Sequence, residues 1–307
     1  MNRTYRLDDG RQTLVLAAHA DRLPVVTYWG PTLPQSENLE TLQAAATIDV
    51  TGGMLDENPD LSICPEATRS FPGQPGLIVR DTDGTPLLPK FCFNAEDHSD
   101  GLALSYVDAD NGLTLTATFK VDVQTHVITC QTALDATRRV HLHWLAAPVM
   151  PAPQQSDEMI DVSGRWCGEF QLSRTPWSAG MRYRENRTGR TGHEHFPGLI
   201  VPCRGATNTM GEAYAFHYGW SGGHRMLAEE LPDGRRQIQW GHAARMETDP
   251  QVQFKTAPLY ITYSDRGLNG CAVAFQRHLR DRIVTWPKPD APRPVHYNCW
   301  EAVYFDH

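Results

Sequence analysis

The sequence predicts a mainly β protein, a large antiparallel sandwich with one helix near its C-terminal end. Two observations support this prediction. Asp-Gly or Asn-Gly dipeptides recur between apolar or alternating segments, an arrangement typical of β-hairpins; they are Asp9-Gly10, Asp83-Gly84, Asp100-Gly101, Asn111-Gly112 and Asp233-Gly234. Many of the segments between these turns are short and rich in β-branched and aromatic residues, as in the strands of a sandwich.

Residues 113–123 show the clearest strand pattern, because apolar and polar side chains alternate almost throughout. Side chains two residues apart share a face of a strand, so the predicted buried face consists of Leu113, Leu115, Ala117, Phe119, Val121 and Val123. Residues 126–134 and 139–145 are predicted to be further strands. Residues 213–225 are predicted to be a buried strand that ends in a Ser-Gly-Gly turn.

A helix is predicted over residues 264–283, where Ser264 and Asp265 provide a cap. Apolar side chains then recur at helical spacing and form one face; they are Leu268, Cys271, Ala272, Phe275, Leu279 and Ile283. A second, less regular helical pattern covers residues 37–46.

The C-terminal end predicts a division into domains. Residues 286–294 are dense in proline, as in a stiff connector between folded units, and residues 295–300 follow as a short apolar β-segment. We expect a large domain at residues 1–285, a linker at 286–294, and at 295–307 the first strand of another domain whose remainder lies beyond the sequence.

Composition excludes some classes of partner. The formal charge of −8 argues against nucleic acid and anionic membranes, which need a basic surface. Seven cysteines, an odd number without a CxxC pair, suit reduced thiols in a cytosolic protein. The N-terminus lacks an apolar signal segment and no run approaches the length of a membrane span. A cytoplasmic location is therefore expected.

One histidine pair, His193 and His195, could share a metal ion if it lay on a strand. No third ligand stands at a recognisable spacing, so neither a metal nor another cofactor is predicted.

Trp166 lies between two glycines in the segment Ser163-Gly-Arg-Trp-Cys-Gly-Glu169. A tryptophan in an exposed loop indicates a ligand-binding role. The alternative is that the side chain of Trp166 is covered and belongs to the core. Trp220 and Arg225 could also bind a sugar, because an indole stacks on C–H faces while a guanidinium donates to hydroxyls. Core packing is the alternative for their aromatic neighbours Tyr214, Phe216 and Tyr218.

Residues 52–76 form a long Pro- and Gly-rich segment that carries several carboxylates, at Asp56, Glu57, Asp60 and Glu66. Long loops in compact domains are usually functional or make contacts. Paired carboxylates could serve as general acid and base, but a solvated acidic loop is the simpler interpretation.

Four segments resemble one family, glycoside hydrolase family 36, the bacterial-type α-galactosidases. Pro294-Val-His-Tyr-Asn-Cys-Trp-Glu-Ala-Val-Tyr-Phe-Asp306 resembles the opening of its catalytic (β/α)8 barrel, typically Pro-Ile-Leu-Ile-Asn-Asn-Trp-Glu-Ala-Thr-Tyr-Phe-Asp. Residues 163–169 resemble its Pro-Gly-Ala-Trp-Gly-Arg-Glu, and residues 186–197 its structural Arg-Gly-x-Ser-Ser-His-Gln-His-Asn-Pro loop. Residues 263–270 resemble its Tyr-Ser-Asp-x-Gly-Leu-Asn-Gly helix start. Cys299 departs from the family's Asn.

The resemblance implies a β-supersandwich of comparable length, then the first strand of a truncated barrel. It implies that the parent protein is a retaining α-galactosidase acting on raffinose- or melibiose-type oligosaccharides. Both catalytic aspartates would lie on later barrel strands, beyond residue 307, so the chain alone is expected to be inactive.

The resemblance also implies site residues. Trp166 and Trp300 would line the galactose subsite. The acidic loop would make subunit contacts in a homotetramer, with Asp56 reaching a neighbouring active site. Two other functions stay open: a stand-alone carbohydrate-binding module with its own complete pocket, and an α-N-acetylgalactosaminidase or raffinose-synthase-like relative.

Overall fold

The computed structural model describes residues 2–47, 58–243, 249–288 and 291–306. Its strands, in chain order, are β1 (Arg3–Asp8), β2 (Gln12–Ala18), β3 (Val25–Pro31), β4 (Leu77–Asp81), β5 (Pro86–Leu87), β6 (Cys92–Asp97), β7 (Leu102–Asp108), β8 (Leu113–Asp122), β9 (Val127–Leu145), β10 (Met150–Pro151), β11 (Glu158–Arg165), β12 (Gly168–Pro176), β13 (Gly180–Asn186), β14 (Gly198–Pro202), β15 (Ala213–Tyr218), β16 (His224–Glu230), β17 (Arg236–His242), β18 (Gln251–Lys255) and β19 (Leu259–Ser264). The helices are α1 (Leu39–Ala46), α2 (Gly267–His278) and α3 (Trp300–Val303), with a 3-10 turn at Ala67–Arg69 and a π turn at Leu279–Ile283.

The strands form three antiparallel sheets. Strands β1–β3 make a three-stranded sheet, and the order β10-β17-β16-β13 makes a four-stranded one. A 12-stranded sheet runs in the order β12-β11-β14-β15-β19-β9-β8-β7-β6, with β18 and the β4–β5 pair also joined to β9. The predicted antiparallel β architecture is therefore confirmed.

All five predicted hairpin turns are formed. Each Asp-Gly or Asn-Gly dipeptide connects two consecutive strands that pair with each other. The glycine has a positive φ in every one of them, a conformation that residues with a Cβ rarely adopt. This local requirement explains why the turns could be found from the sequence.

Strand β8 confirms most of the predicted alternation. Leu113, Leu115, Ala117 and Phe119 are buried. Val123 is 59% exposed, and its predicted place in the core is wrong. The strand ends one residue earlier, where Asp122 Oδ1 accepts hydrogen bonds from the backbone N–H groups of Gln124 and Thr125. That turn carries Val123 away from the sheet.

A fully buried glutamine, Gln12, joins the three-stranded sheet to the large sheet. Its Nε2 donates to Asp9 Oδ2 and to the carbonyl oxygen of His126, both at 2.9 Å. Its Oε1 accepts from Trp29 Nε1 at 2.9 Å and from the backbone N–H of Tyr263 at 3.0 Å. One side chain thus satisfies four polar groups between the two sheets.

Both predicted helical regions are helical. Asn38 caps α1 by accepting from Thr41 N. Helix α2 and the π turn cover most of the predicted helix, but α2 begins at Gly267, later than predicted. The predicted apolar face is only partly buried, because Ala272, Leu279 and Ile283 are exposed. Ser264 Oγ accepts from Arg266 N and does not cap the helix. Cys271 and Ala274 are buried, and Cys271 lies in the cluster that contains Ala213 and Ala215 of β15.

The predicted strand at residues 295–299 is not formed. Residues 292–299 have no regular structure, and Trp300 begins the short helix α3. A strand of a parallel barrel takes its hydrogen bonds from neighbouring strands, and among the described residues no strand pairs with this segment.

Among the described residues, no helix combines the length and apolar character needed to cross a membrane.

Candidate functional site at the hairpin rim

Trp166 lies at the tip of the hairpin formed by β11 and β12. A register shift interrupts the hairpin between Ser163 and Arg165. At this irregularity Gly164 has φ 148°, and a Cβ there would lie 2.2 Å from the carbonyl oxygen of Gly168. Only glycine fits this close approach of the two strands. The glycine thereby shapes the tip that presents Trp166.

The indole of Trp166 is 71% exposed. The alternative of a capped core tryptophan is therefore excluded for this chain. Cys167 follows with a positive φ of 62°, and its backbone N–H donates to Glu169 Oε1 at 3.1 Å. An exposed indole held on a tight, hydrogen-bonded turn can stack on the apolar face of a ligand.

A row of aromatic rings runs from β12 across the large sheet to β15 and α2. Phe170 of β12 lies 6.3 Å from Phe196, and Phe196 lies 5.2 Å from His217 of β15, in edge-to-face geometry. On its other side His217 faces Phe275 of α2 at 6.1 Å. Phe170 itself is 70% exposed. The row of rings therefore runs from the exposed Phe170 to the half-buried Phe275.

The segment 187–197 borders the hairpin as a structured loop. Asn186 is buried and begins it, accepting from Thr188 N at 2.9 Å and donating to the carbonyl oxygen of Arg190 at 2.9 Å. Thr191 N donates to the carbonyl oxygen of Ser221 at 2.5 Å. The loop is thus tied to the turn after β15, which carries Trp220.

A buried carboxylate, Asp161 of β11, lies at the base of the hairpin. Arg182 donates to its Oδ2 at 2.7 Å, and Arg184 forms an ion pair with its Oδ1. Arg184 also donates to Nδ1 of His195 at 2.9 Å and to the carbonyl oxygen of Glu194 at 3.0 Å. Burial, and then the charge of Arg184, lower the pKa of His195. A neutral imidazole is what this geometry needs, because Nδ1 must accept.

His193 and His195 lie in the loop at residues 187–197 and not on a strand. Nδ1 of His195 already accepts from Arg184. Across the described ranges, no group of three or more His, Cys, Asp or Glu side chains is arranged to hold a metal ion.

The second sugar-binding candidate is used mostly within the protein. Arg225 pairs with Glu185 at 2.7 Å, and its guanidinium lies 4.9 Å from the ring of Tyr183. Trp220 packs against His242 with 4.9 Å between ring centroids, and it is partly exposed. The core alternative is confirmed for the three aromatic residues of β15, which are buried: Tyr214, Phe216 and Tyr218.

The other predicted site residues are not brought together with Trp166. Trp300 contacts Tyr304 and Phe305 of its own segment, with ring centroids 5.7 and 5.0 Å away. No hydrogen bond or ring contact joins it to Trp166 within the described part of the chain. Asp56 lies outside the described residues, as does Glu57.

The remaining carboxylates of the acidic loop have structural partners. Asp60 lies 3.5 Å from Arg22. Glu66 is buried, accepts from the backbone N–H of Phe91 at 2.7 Å and pairs with Arg69 at 2.8 Å. Burial raises the pKa of Glu66. Among the contacts described, none joins Asp60 or Glu66 to the β11–β12 hairpin or to the loop at residues 187–197.

Sequence reasoning missed Asp161, its two arginines and Phe170. A signal for the ion pairs was present, because a lone carboxylate interrupts the apolar run Met159-Ile-Asp-Val162. Arg182 and Arg184 are also spaced two apart and therefore share one face of a strand. The pairing itself depends on how two sheets pack and could not be read from either segment.

We expect the free energy of unfolding of the sandwich to decrease as the pH is lowered below 6.5, because of His217. Burial lowers the pKa of His217 to about 4, and the nearby His224 contributes. A folded-state pKa below the unfolded value of 6.5 stabilises the fold above pH 6.5, and this contribution is lost as the pH falls through 4. Thermal unfolding between pH 7 and about pH 4 should therefore depend less on pH in His217→Phe than in the wild type.

The control for that measurement is His143→Gln, which replaces an exposed histidine of β9. It should keep the wild-type pH profile. A profile unchanged by His217→Phe would contradict the assignment of the low pKa to burial at this position.

Comparison with known protein families shows which family this chain belongs to. The model of the glycosyl hydrolase family 36 N-terminal domain matches residues 22–247, most of the chain. The chain belongs to glycosyl hydrolase family 36. A second family model, described as Melibiase, matches residues 253–307. The family predicted from the four sequence segments is thereby confirmed.

The family 36 relatives are longer than this chain. An alpha-galactosidase of Escherichia coli is 32% identical over 310 residues, which cover 98% of this chain and 42% of that protein. Alpha-galactosidase AgaA of Geobacillus stearothermophilus is 28% identical over 224 residues, covering 71% of this chain and 31% of that protein. The chain thus spans less than half the length of these relatives. Their identity as whole glycosidases does not favour a stand-alone binding module.

Solved structures of family 36 share the fold. The crystal structure of a variant of AgaA from Geobacillus stearothermophilus in complex with stachyose superposes with a TM-score of 0.84, at 21% identity, over 99% of this chain and 46% of that chain. The galactosidase domain of the alpha-galactosidase-sucrose kinase AgaSK gives a TM-score of 0.87 at 18% identity, over 99% of this chain and 46% of that chain. The predicted supersandwich fold is confirmed.

Proposed function

We propose that this chain is the N-terminal part of a retaining α-galactosidase that hydrolyses terminal α-galactosyl residues of raffinose- or melibiose-type oligosaccharides. One observation carries the proposal: 98% of the chain aligns with a single alpha-galactosidase at 32% identity. An α-N-acetylgalactosaminidase or a raffinose-synthase-like enzyme would use the same sandwich, and substrate assays on the whole protein distinguish these from an α-galactosidase.

Two observations support a sandwich domain that extends beyond residue 253. Strands β18 and β19 pair with β9 of the large sheet, and α2 packs on that sheet, although the second family model begins at residue 253. We therefore propose a sandwich domain at residues 1–285, a proline-rich linker at 286–294, and the start of the barrel at 295–307.

The chemistry of a retaining glycosidase needs two carboxylates about 5–5.5 Å apart, one nucleophile and one acid/base. By family resemblance both are aspartates of later barrel strands, beyond residue 307. The present chain would supply the walls of the galactose subsite. Trp166 would stack on the sugar from the sandwich side and Trp300 would face it from the barrel.

The proposed assembly is a cytoplasmic homotetramer that needs no metal or other cofactor. Asp56 is proposed to reach the active site of a neighbouring subunit. Size-exclusion chromatography with light scattering of the whole protein tests the oligomeric state.

The experiment that tests the function compares two proteins with an aryl α-galactoside. The 307-residue chain should show no hydrolysis, whereas the protein extended by the rest of its reading frame should release galactose as the α-anomer, which NMR detects directly. Turnover by the 307-residue chain that is lost in an Asp56→Asn variant would contradict the assignment of both catalytic carboxylates to the barrel.

A further inference from the structure

The ion pairs of Asp161 connect two different sheets beneath the hairpin. Asp161 belongs to β11 of the large sheet, whereas Arg182 and Arg184 belong to β13, an edge strand of the four-stranded sheet. The side chain of Asp161 is only 1% exposed. The contact with Arg182 is a directed hydrogen bond, and that with Arg184 is a close ion pair.

Arg184 extends this contact to the loop at residues 187–197. It donates to the carbonyl oxygen of Glu194 and to Nδ1 of His195. The next residue, Phe196, donates its backbone N–H to the carbonyl oxygen of Val162 at 3.3 Å. Its ring then meets Phe170, four residues beyond Trp166. These contacts therefore connect Asp161 with Phe170 of β12, on the hairpin whose tip carries Trp166.

We propose that Asp161 is a positioning residue, which acts through Arg184 to hold the 187–197 loop and the hairpin in the geometry that presents Trp166 to the sugar. The proposal rests on the proposed role of Trp166 in substrate binding. The side chain of Asp161 is 1% exposed, so its proposed action on the substrate is indirect.

The chemistry of the contacts supports a positioning role. A guanidinium is planar and rigid, so a carboxylate that binds it fixes its orientation as well as its charge. Arg184 directs Nη2 to the loop, while its Nη1 forms the ion pair with Asp161 Oδ1 that holds the guanidinium at the base of the hairpin. An asparagine at position 161 keeps the size of the side chain but loses the charge. The guanidinium would then be free to tilt, and the loop with it.

A spectroscopic test uses the 307-residue chain itself. The chain is labelled with 5-fluorotryptophan, and the 19F resonance of Trp166, one of eight tryptophans, is assigned through Trp166→Phe. Asp161→Asn and Arg184→Gln should shift or broaden this resonance. Asp157→Asn, which removes a second Asp–Arg pair on exposed side chains, is the matched control and should leave it unchanged. A Trp166 resonance identical in all three variants would overturn the proposal.

A kinetic test uses the whole protein that carries this domain. Asp161→Asn should lower kcat/KM for an α-galactoside on the order of ten-fold, mainly through KM, and Asp161→Glu should restore part of it. In a Trp166→Ala background, Asp161→Asn should have almost no further effect on kcat/KM, because Asp161 is proposed to affect substrate binding only through the position of Trp166.

The outcomes separate the two proposals. A tenfold loss that is the same with and without Trp166 would show that Asp161 only stabilises the fold, and would overturn the positioning role alone. Wild-type kinetics in Trp166→Ala would refute the proposed role of Trp166, and the positioning role with it. If Asp161→Asn fails to fold, Arg184→Lys replaces it in the double-mutant cycle with Trp166→Ala. Lysine keeps the positive charge but lacks the planar guanidinium.

Discussion

Replacing Gln12 by leucine is expected to lower the free energy of unfolding of this chain by about 3–5 kcal/mol. Leucine has nearly the same volume but cannot replace the four hydrogen bonds that Gln12 makes. The Trp29 indole N–H and the Tyr263 backbone N–H would both be left buried without their acceptor, at roughly 1–3 kcal/mol each. The buried carboxylate of Asp9 would also lose a donor, which leaves a charge poorly compensated.

Urea denaturation of the 307-residue chain, followed by tryptophan fluorescence, measures this change. Gln154→Leu is the matched control, because the exposed side chain of Gln154 makes a single hydrogen bond to the carbonyl oxygen of Gly234. Its effect should stay within about 0.5 kcal/mol. A Gln12→Leu variant as stable as this control would show that the bonds between the two sheets contribute nothing net.

Features that depend on a few neighbouring residues could be predicted from the sequence. The hairpin turns require a positive φ at one position, and glycine there indicates them directly. The exposure of Trp166 follows in the same way from its position between glycines in a hairpin tip. Alternation placed β8 correctly, and it failed at Val123, where Asp122 forms a turn through its own carboxylate.

Features that depend on packing between distant segments could not be predicted. Asp161 and Arg184 are 23 residues apart, belong to two different sheets and meet only where those sheets contact each other. Gln12 contacts a backbone N–H that lies 251 residues away in the chain. The segment 295–299 has the composition of a strand, but composition alone does not supply the neighbouring strands that a parallel sheet needs.

The largest functional effect is expected for the two tryptophans in the whole protein. Trp166→Ala and Trp300→Ala should each lower kcat/KM for an α-galactoside roughly ten- to hundred-fold, since a stacked indole contributes on the order of 1–3 kcal/mol. The sandwich should stay folded in Trp166→Ala, because an indole that is 71% exposed adds little to the core. Thermal unfolding of each variant checks this point.

Leu172→Ala is the matched control for Trp166→Ala. Leu172 lies on the same hairpin and is equally exposed, at 72%, but it lies on β12 and not at the tip. Its replacement should leave kcat/KM unchanged. If Trp166→Ala kept wild-type kinetics, the hairpin tip would have no part in substrate binding, and Trp300 would be the remaining candidate in this chain.

The double variant tests whether both indoles contact one sugar. Two walls of the same subsite are coupled, because once one wall is lost the galactose ring is no longer held against the other. The loss in Trp166→Ala/Trp300→Ala should therefore be smaller than the product of the two single losses. A loss equal to that product would place the tryptophans at independent positions along the oligosaccharide, with Trp166 contacting a sugar beyond the galactose that Trp300 binds.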